Sequence, residues 1–203
     1  MAKLKLTKGE LKYQRDALRR YERFLPILQL KKQQLQMEIL YQVATLEEAG
    51  CKRSSKTREI EVWAGLLAES GLNLKDWIRP KRAVVDTKNV AGVDLPIFQK
   101  VEFEGIEYDL FTTPLWVDRA LEDLRALVAI LEEIKVLEKG ISILRQELRI
   151  TTQRVKLFEK VKIPEAEENI RVIKVYLGDQ MANAVGRSKI AKKKLEKAEE
   201  VVV

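Results

Sequence analysis

The side chains of this chain that could do chemistry are mainly carboxylates. They stand in the groups Glu47/Glu48, Glu132/Glu133, Glu165/Glu167/Glu168 and Glu199/Glu200. A general acid–base pair needs two carboxyl groups held at different pKa values in a shielded cleft. Here each group sits among Lys and Arg in stretches of helical spacing, which is the pattern of a solvated or ion-paired face. The chain has no His and a single Cys, Cys51. That inventory excludes a thiolate or imidazole metal cluster and the nucleophilic triads that use His. One cysteine also leaves no internal disulfide, which suits a reducing compartment. None of the nine glycines precedes a Lys, so there is no phosphate-binding loop, and no dinucleotide fingerprint occurs. No cofactor is expected.

The net charge is +7, with both signs interspersed, which is compatible with nucleic acid, a membrane surface or an acidic protein cavity. Lys189, Lys192, Lys193, Lys194 and Lys197 form one basic cluster, but no aromatic platform accompanies it, as a single-strand binder would require. Lys8, Lys12, Arg15, Arg19, Arg20 and Arg23 form a second basic face that reads as the flank of a coiled coil. Trp63, Trp77 and Trp116 read as packing residues. The start of the chain has no apolar signal core, and no apolar run is long enough to span a bilayer.

The elements that carry these residues are mostly helices. Positions seven apart read Leu4, Leu11, Leu18, Leu25, Lys32, Ile39, Leu46, and their companions read Thr7, Gln14, Tyr21, Leu28, Leu35, Gln42, Ala49. This alternating three–four spacing predicts a left-handed supercoiled seam. Thr7-x-x-Glu10 resembles a capping box that would start the helix. The ladder resumes in phase at Ile60 and Leu67, so the helix is expected to run through Gly50 to about Glu69, with Gly71 as its stop. Pro26 removes one backbone hydrogen bond and predicts a kink.

The segment 72–113 changes character. Asp76 to Pro80 reads as a turn out of a helix. Arg82–Thr87 and Ile97–Phe103 read as strands, and Glu104-Gly105 is placed as the turn that leads the latter into Ile106–Phe111. Two strands are marginal alone, so they are expected to rest on the helices as a small head. A last helix is placed from Pro114 or Leu115, capped by Thr113. Its ladders read Ile134, Ile141, Leu148, Val155 and Leu137, Leu144, Thr151, Phe158; the apolar set then becomes Ile163, Ala166, Ile170, Ile173, Leu177, Ala184. The phase slips by about one residue near Lys162, next to Pro164, where a second kink is expected. The tail from Lys189 is expected to fray.

The fold expected is therefore mostly α. It is a long antiparallel left-handed coiled coil of N- and C-terminal helices with a small α+β (β-hairpin) head from the middle of the chain. The divisions are 1–70, 71–113 and 114–203, acting as one unit. The seam residues are Leu11, Leu18, Leu25, Leu28, Leu35, Ile39, Ile141, Leu144, Leu148, Val155, Phe158 and Ile170. These observations alone stop at an antiparallel coiled coil with a head, and they leave open a coiled-coil scaffold or tether and a basic nucleic-acid-binding helical protein. An enzyme is the least supported.

Two stretches carry a family resemblance. Asn89-Val90-Ala91-Gly92-Val93-Asp94-Leu95-Pro96-Ile97-Phe98 resembles the Asn-Val-Ala-Gly-Val-x-Leu-Pro-x-Phe segment of the D subunits of V-type ATPases. Thr152 to Glu159, with Arg154, Val155 and Glu159, followed by Ile163-Pro164, resembles that family's Thr-x-Arg-Arg-Val-Asn-Ala-Leu-Glu and Ile-Pro. Lys8-Gly9-Glu10-Leu11 and Leu28-x-x-Lys31-Lys32 fit its opening helix more loosely. The family's late Arg/Glu-rich stretch ending in aromatic residues is replaced here by Gly178 to Arg187. The resemblance implies a non-catalytic central-stalk subunit of a proton- or sodium-translocating ATPase or ATP synthase. It implies partners in the A and B ATPase subunits, whose hexamer cavity receives the shaft, in the F subunit, and in a funnel-shaped adaptor on the membrane ring. It also implies a cytoplasmic place peripheral to the membrane, with no span of its own and no direct contact with nucleotide or nucleic acid.

Overall fold

The computed structural model describes residues 4–68, 74–105 and 113–202. The fold is mostly helical, with a long N-terminal helix packed against long C-terminal helices and a β-hairpin from the middle of the chain. Helix α1 spans Lys8–Glu61. A 3-10 turn follows at Ala64–Ala68, then α2 at Leu74–Trp77. Strands β1, Pro80–Val90, and β2, Val93–Phe103, pair antiparallel. Helix α3 spans Trp116–Leu157, a π-helical turn covers Phe158–Lys162, and α4 spans Ile163–Val202. By contacts the chain divides into two compact units, Met1–Leu30 with Thr152–Val203, and Lys31–Thr151.

Helix α1 begins as its sequence directs. The Glu10 amide donates to Thr7 Oγ1 at 3.2 Å, which is one arm of the capping box. The other arm is replaced, since Glu10 accepts from the Gln14 side chain at 2.8 Å. The helix is continuous through Pro26 and Gly50, but it ends at Glu61, about two turns before the expected Glu69. Beyond it, the Leu66 amide donates to the Trp63 carbonyl, and the chain tightens into the 3-10 turn. Glu69 and Gly71 lie outside the described residues. Helix α3 starts at Trp116, slightly later than Pro114, with the Val117 amide donating to the Pro114 carbonyl at 3.0 Å.

Both expected strands form and are longer than expected, and Ile97–Phe103 pairs with Arg82–Asp86 and Pro80 through a turn at Ala91-Gly92. Ile106–Phe111 lies outside the described residues. The strand pair skips Gln99, because Val84 faces Lys100 while Val85 faces Phe98. This bulge moves the half-buried series of β2 from Phe98 to Val101 and Phe103.

In the unit Met1–Leu30 with Thr152–Val203, the Tyr21 and Phe158 rings lie 5.3 Å apart. The phase slip read near Lys162 has a direct cause in this unit. The Ile163 amide donates to the Phe158 carbonyl, a π-type bond that inserts one residue into the helix. The turn lies immediately before Pro164, whose missing N–H could not have continued the α-helical ladder. After it, Ala166, Ile170 and Ile173 are buried. The tail expected to fray is helical to Val202.

Candidate functional site

The hairpin and the helices of the unit Lys31–Thr151 form a three-element platform. The turn is built by the residue types at Asn89–Asp94. Ala91 and Gly92 both have positive φ, 52° and 76°, which is the twist that suits a tight hairpin. Asn89 Oδ1 accepts from the Gly92 amide at 3.1 Å, and Asn89 Nδ2 donates to Asp94 Oδ1 at 2.6 Å. The turn thus presents Val90, Ala91, Val93 and Leu95 to the helices. Val93 and Leu95 form a buried cluster with Leu35 of α1 and Leu144 of α3, flanked by Ile39, Ile143 and Leu148.

The other end of the hairpin is clamped by Arg125 of α3. Its guanidinium lies 5.1 Å from the Phe103 ring centre and donates to the Trp77 and Glu104 carbonyls. Nineteen positions of α3 separate Arg125 from Leu144, about 28 Å at 1.5 Å per residue. Eleven residues of strand reach about 36 Å at most at 3.3 Å per residue. The hairpin therefore lies lengthwise along this helix pair. Between the two anchors is a cleft of about 220 Å³, lined by Leu95 to Phe98 of β2 and by Tyr41, Gln42 and Leu137 of the helices. Gly140 lies close by. A Cβ there would stand 3.3 Å from Gln42 Oε1, itself buried without a hydrogen bond, and 4.0 Å from Pro96 Cδ.

Deeper along the same helix pair, Lys56 of α1 meets Asp123 of α3 at 2.8 Å. Asp123 is buried at 7% exposure and also faces Arg119 at 3.8 Å, while Lys56 reaches Glu59 at 2.9 Å. The Asp123 carboxyl is held below the ordinary carboxylate range, first by the hydrogen bond from Lys56, against the opposing effect of burial. The Lys56 ammonium is correspondingly raised by its bonds to Asp123 and Glu59. The Trp63 indole adds little to Asp123, since its Nε1 makes no complete hydrogen bond. Trp63 packs 6.5 Å from Trp116, and Trp77 and Trp116 flank the buried Val117 and Leu121.

Leu35, Ile141, Leu144, Val155 and Ile170 are buried, and Leu11, Leu18, Leu25, Leu28, Ile39, Leu148 and Phe158 are half-buried. The motif residues Asn89 to Phe98 make the turn and its β2 anchor, with Pro96 and Phe98 half-buried. Arg154, Glu159 and Pro164 surround the π-helical turn, and all three are exposed. The carboxylates considered for catalysis are spread along helix faces, and Glu132, Glu165 and Glu168 are bonded to Lys135, Lys162 and Arg171 three residues away. Among the described residues no group of three His, Cys, Asp or Glu is placed to hold a metal ion. No helix of the described residues is long and apolar enough to cross a membrane. The Lys56–Asp123 pair was not legible as a pair, because nothing local links residues so far apart.

Helix α4 offers a second surface. Tyr21 sits opposite Phe158, and α1 begins thirteen residues before Tyr21. Its first turn comes level with α4 at roughly residue 172, after which α4 continues to Val202. From Gly178 to Leu195 every residue but Gly186 is exposed. Leu177, Met181, Ala184, Ser188, Ala191 and Leu195 continue the alternating three–four spacing along this length.

These features recur in known proteins. The family model for the ATP synthase D subunit matches residues 10–193. The V-type ATP synthase D subunit of Borreliella burgdorferi is 47% identical over 202 residues, covering 97% of each chain. That of Chlamydia pneumoniae is 34% identical, covering 95% of this chain and 93% of its own, and that of Chlamydia abortus is 32% identical, covering 98% and 97%. With a full-length match of this kind, and with the turn motif folded as the hairpin that joins the two long helices, the chain belongs to the family of V-type ATP synthase D subunits.

Proposed function

We propose that this chain is the non-catalytic central-stalk subunit of a V-type ATPase or ATP synthase, turning inside the hexamer of A and B subunits. In this reading it couples ATP hydrolysis or synthesis to proton or sodium movement, pairs with the F subunit, and rests on the funnel-shaped adaptor of the membrane ring. It works in the cytoplasm, peripheral to the membrane. The observation that carries the reading is the exposed end of α4. A helix whose heptad stripe is left uncovered among the described residues is built to be enclosed by other chains. Lys189, Lys193 and Lys194 flank that stripe and suit an acidic surrounding surface. Such a subunit acts sterically, by favouring different conformations in the sites around it.

The test is reconstitution. The full chain should purify with A- and B-type subunits in a fixed ratio, and a chain ending at Leu177 should bind them more weakly and lose coupled turnover. Recovery instead of nuclease-sensitive material, with binding that falls steeply with salt, would point to the nucleic-acid reading. Undiminished coupling by the shortened chain would overturn the role given to α4.

A further inference from the structure

We propose that the Lys56–Asp123 pair is a register lock, the contact that fixes the axial alignment of α1 against α3. Twenty-one positions separate Leu35 from Lys56, and twenty-one separate Asp123 from Leu144. That is three heptads on each helix. The charged pair therefore occupies the same heptad positions as the fully buried leucines, one to each helix, within the seam. A seam of repeated apolar residues is degenerate, because sliding by seven residues brings like against like. A polar pair at one seam position removes the degeneracy.

The sequence around the pair makes the alternatives costly in both directions. A slide of one heptad sets Lys56 opposite Trp116 or Ile130, neither of which is an anion. It sets Asp123 opposite Ala49 or Trp63, neither of which is a cation. Only the observed alignment satisfies both charges. Among the described residues this is the one ion pair that joins two helices; the helical pairs otherwise span three or four residues of one helix and are silent about register. Arg119 and Glu59 brace the two partners, each from its own helix. The inference concerns the helix pair itself and does not depend on the rotary role.

The experiment uses the full chain with one spin label on the exposed native Cys51 and another on a cysteine introduced at the exposed Arg145. A one-heptad slide changes their axial offset by about 10 Å. The unmodified pair should give a single distance, and Lys56→Arg, which keeps the ion pair, should give the same one. Lys56→Met with Asp123→Leu removes both charges together, a change that seams generally tolerate. It should stay helical and show a second population displaced by about 10 Å. One unchanged distance in the apolar double variant would overturn the proposal, since the apolar contacts and hairpin would then suffice. So would failure of that variant to fold, which would make the pair a stability element. A second population in Lys56→Arg would also overturn it.

Discussion

Leu144 is the residue whose loss should cost this fold most. It is fully buried, with no exposed surface, and meets Leu35 of α1 together with Val93 and Leu95 of the hairpin. Leu144→Ala removes three carbon groups, worth about 2.4 kcal/mol at ~0.8 kcal/mol each. The site is enclosed by three separate elements, so it collapses poorly, and a cavity term adds to the transfer term. The total should reach about 3–4 kcal/mol, inside the ~2.7–5 kcal/mol range for buried Leu→Ala changes. Urea denaturation of the full chain followed by helical circular dichroism measures it. Leu40→Ala, at a residue 66% exposed on the same helix pair, should stay within about 0.5 kcal/mol of the parent. A double-mutant cycle with Val93→Ala should give a coupling of about 0.5–3 kcal/mol. Equal costs for Leu144→Ala and Leu40→Ala, or strict additivity with Val93→Ala, would refute the claim that the hairpin is packed into the seam.

Other consequences follow from the same geometry. On the proposed stalk role, Leu144→Ala should reduce ion pumping per ATP hydrolysed before it reduces assembly, which proteoliposome pumping assays read against ATPase activity. Asp123 has a folded pKa below its unfolded value of about 3.9, so its contribution is present above that pH and is lost as pH falls through the folded pKa. Melting temperatures from pH 6 down to 2 should fall less steeply in Asp123→Asn than in the parent. Gly92→Val forces a β-branched residue to a φ of 76° and should cost about 1–2 kcal/mol by thermal denaturation. Gly140→Ala should be near neutral, since the ~1 kcal/mol helix preference for Ala offsets a small shift of the flexible Gln42 amide. Gly140→Leu should be clearly destabilising, because Pro96 of the hairpin cannot give way in the same manner. Replacing Pro26 and Pro164 together by Ala should reduce coupled turnover if local irregularity at these sites gives the shaft its asymmetry; unchanged coupling would count against that.

What the sequence determined by itself is the local and periodic part. Heptad spacing specifies two long helices, because a seam repeated every seven residues can be buried only by another helix. It even exposed the π-helical turn, since inserting one residue rotates every later side chain and leaves the slip seen between Phe158 and Ile163. Thr7 announced its cap through a hydrogen bond three residues away. The hairpin was harder. Strand propensity placed Arg82–Thr87 and Ile97–Phe103 correctly, but their pairing with each other was not read, although Asn89 and Gly92 already supply the polar side chain and positive φ of a tight turn. Tertiary structure alone decided where the hairpin lies, because Leu35, Val93, Leu95 and Leu144 come from three distant segments and no one of them shows what it will meet. It decided the fate of Lys56 and Asp123 in the same way. In sequence they are ordinary surface charges; only the antiparallel alignment of two helices makes them neighbours in a seam.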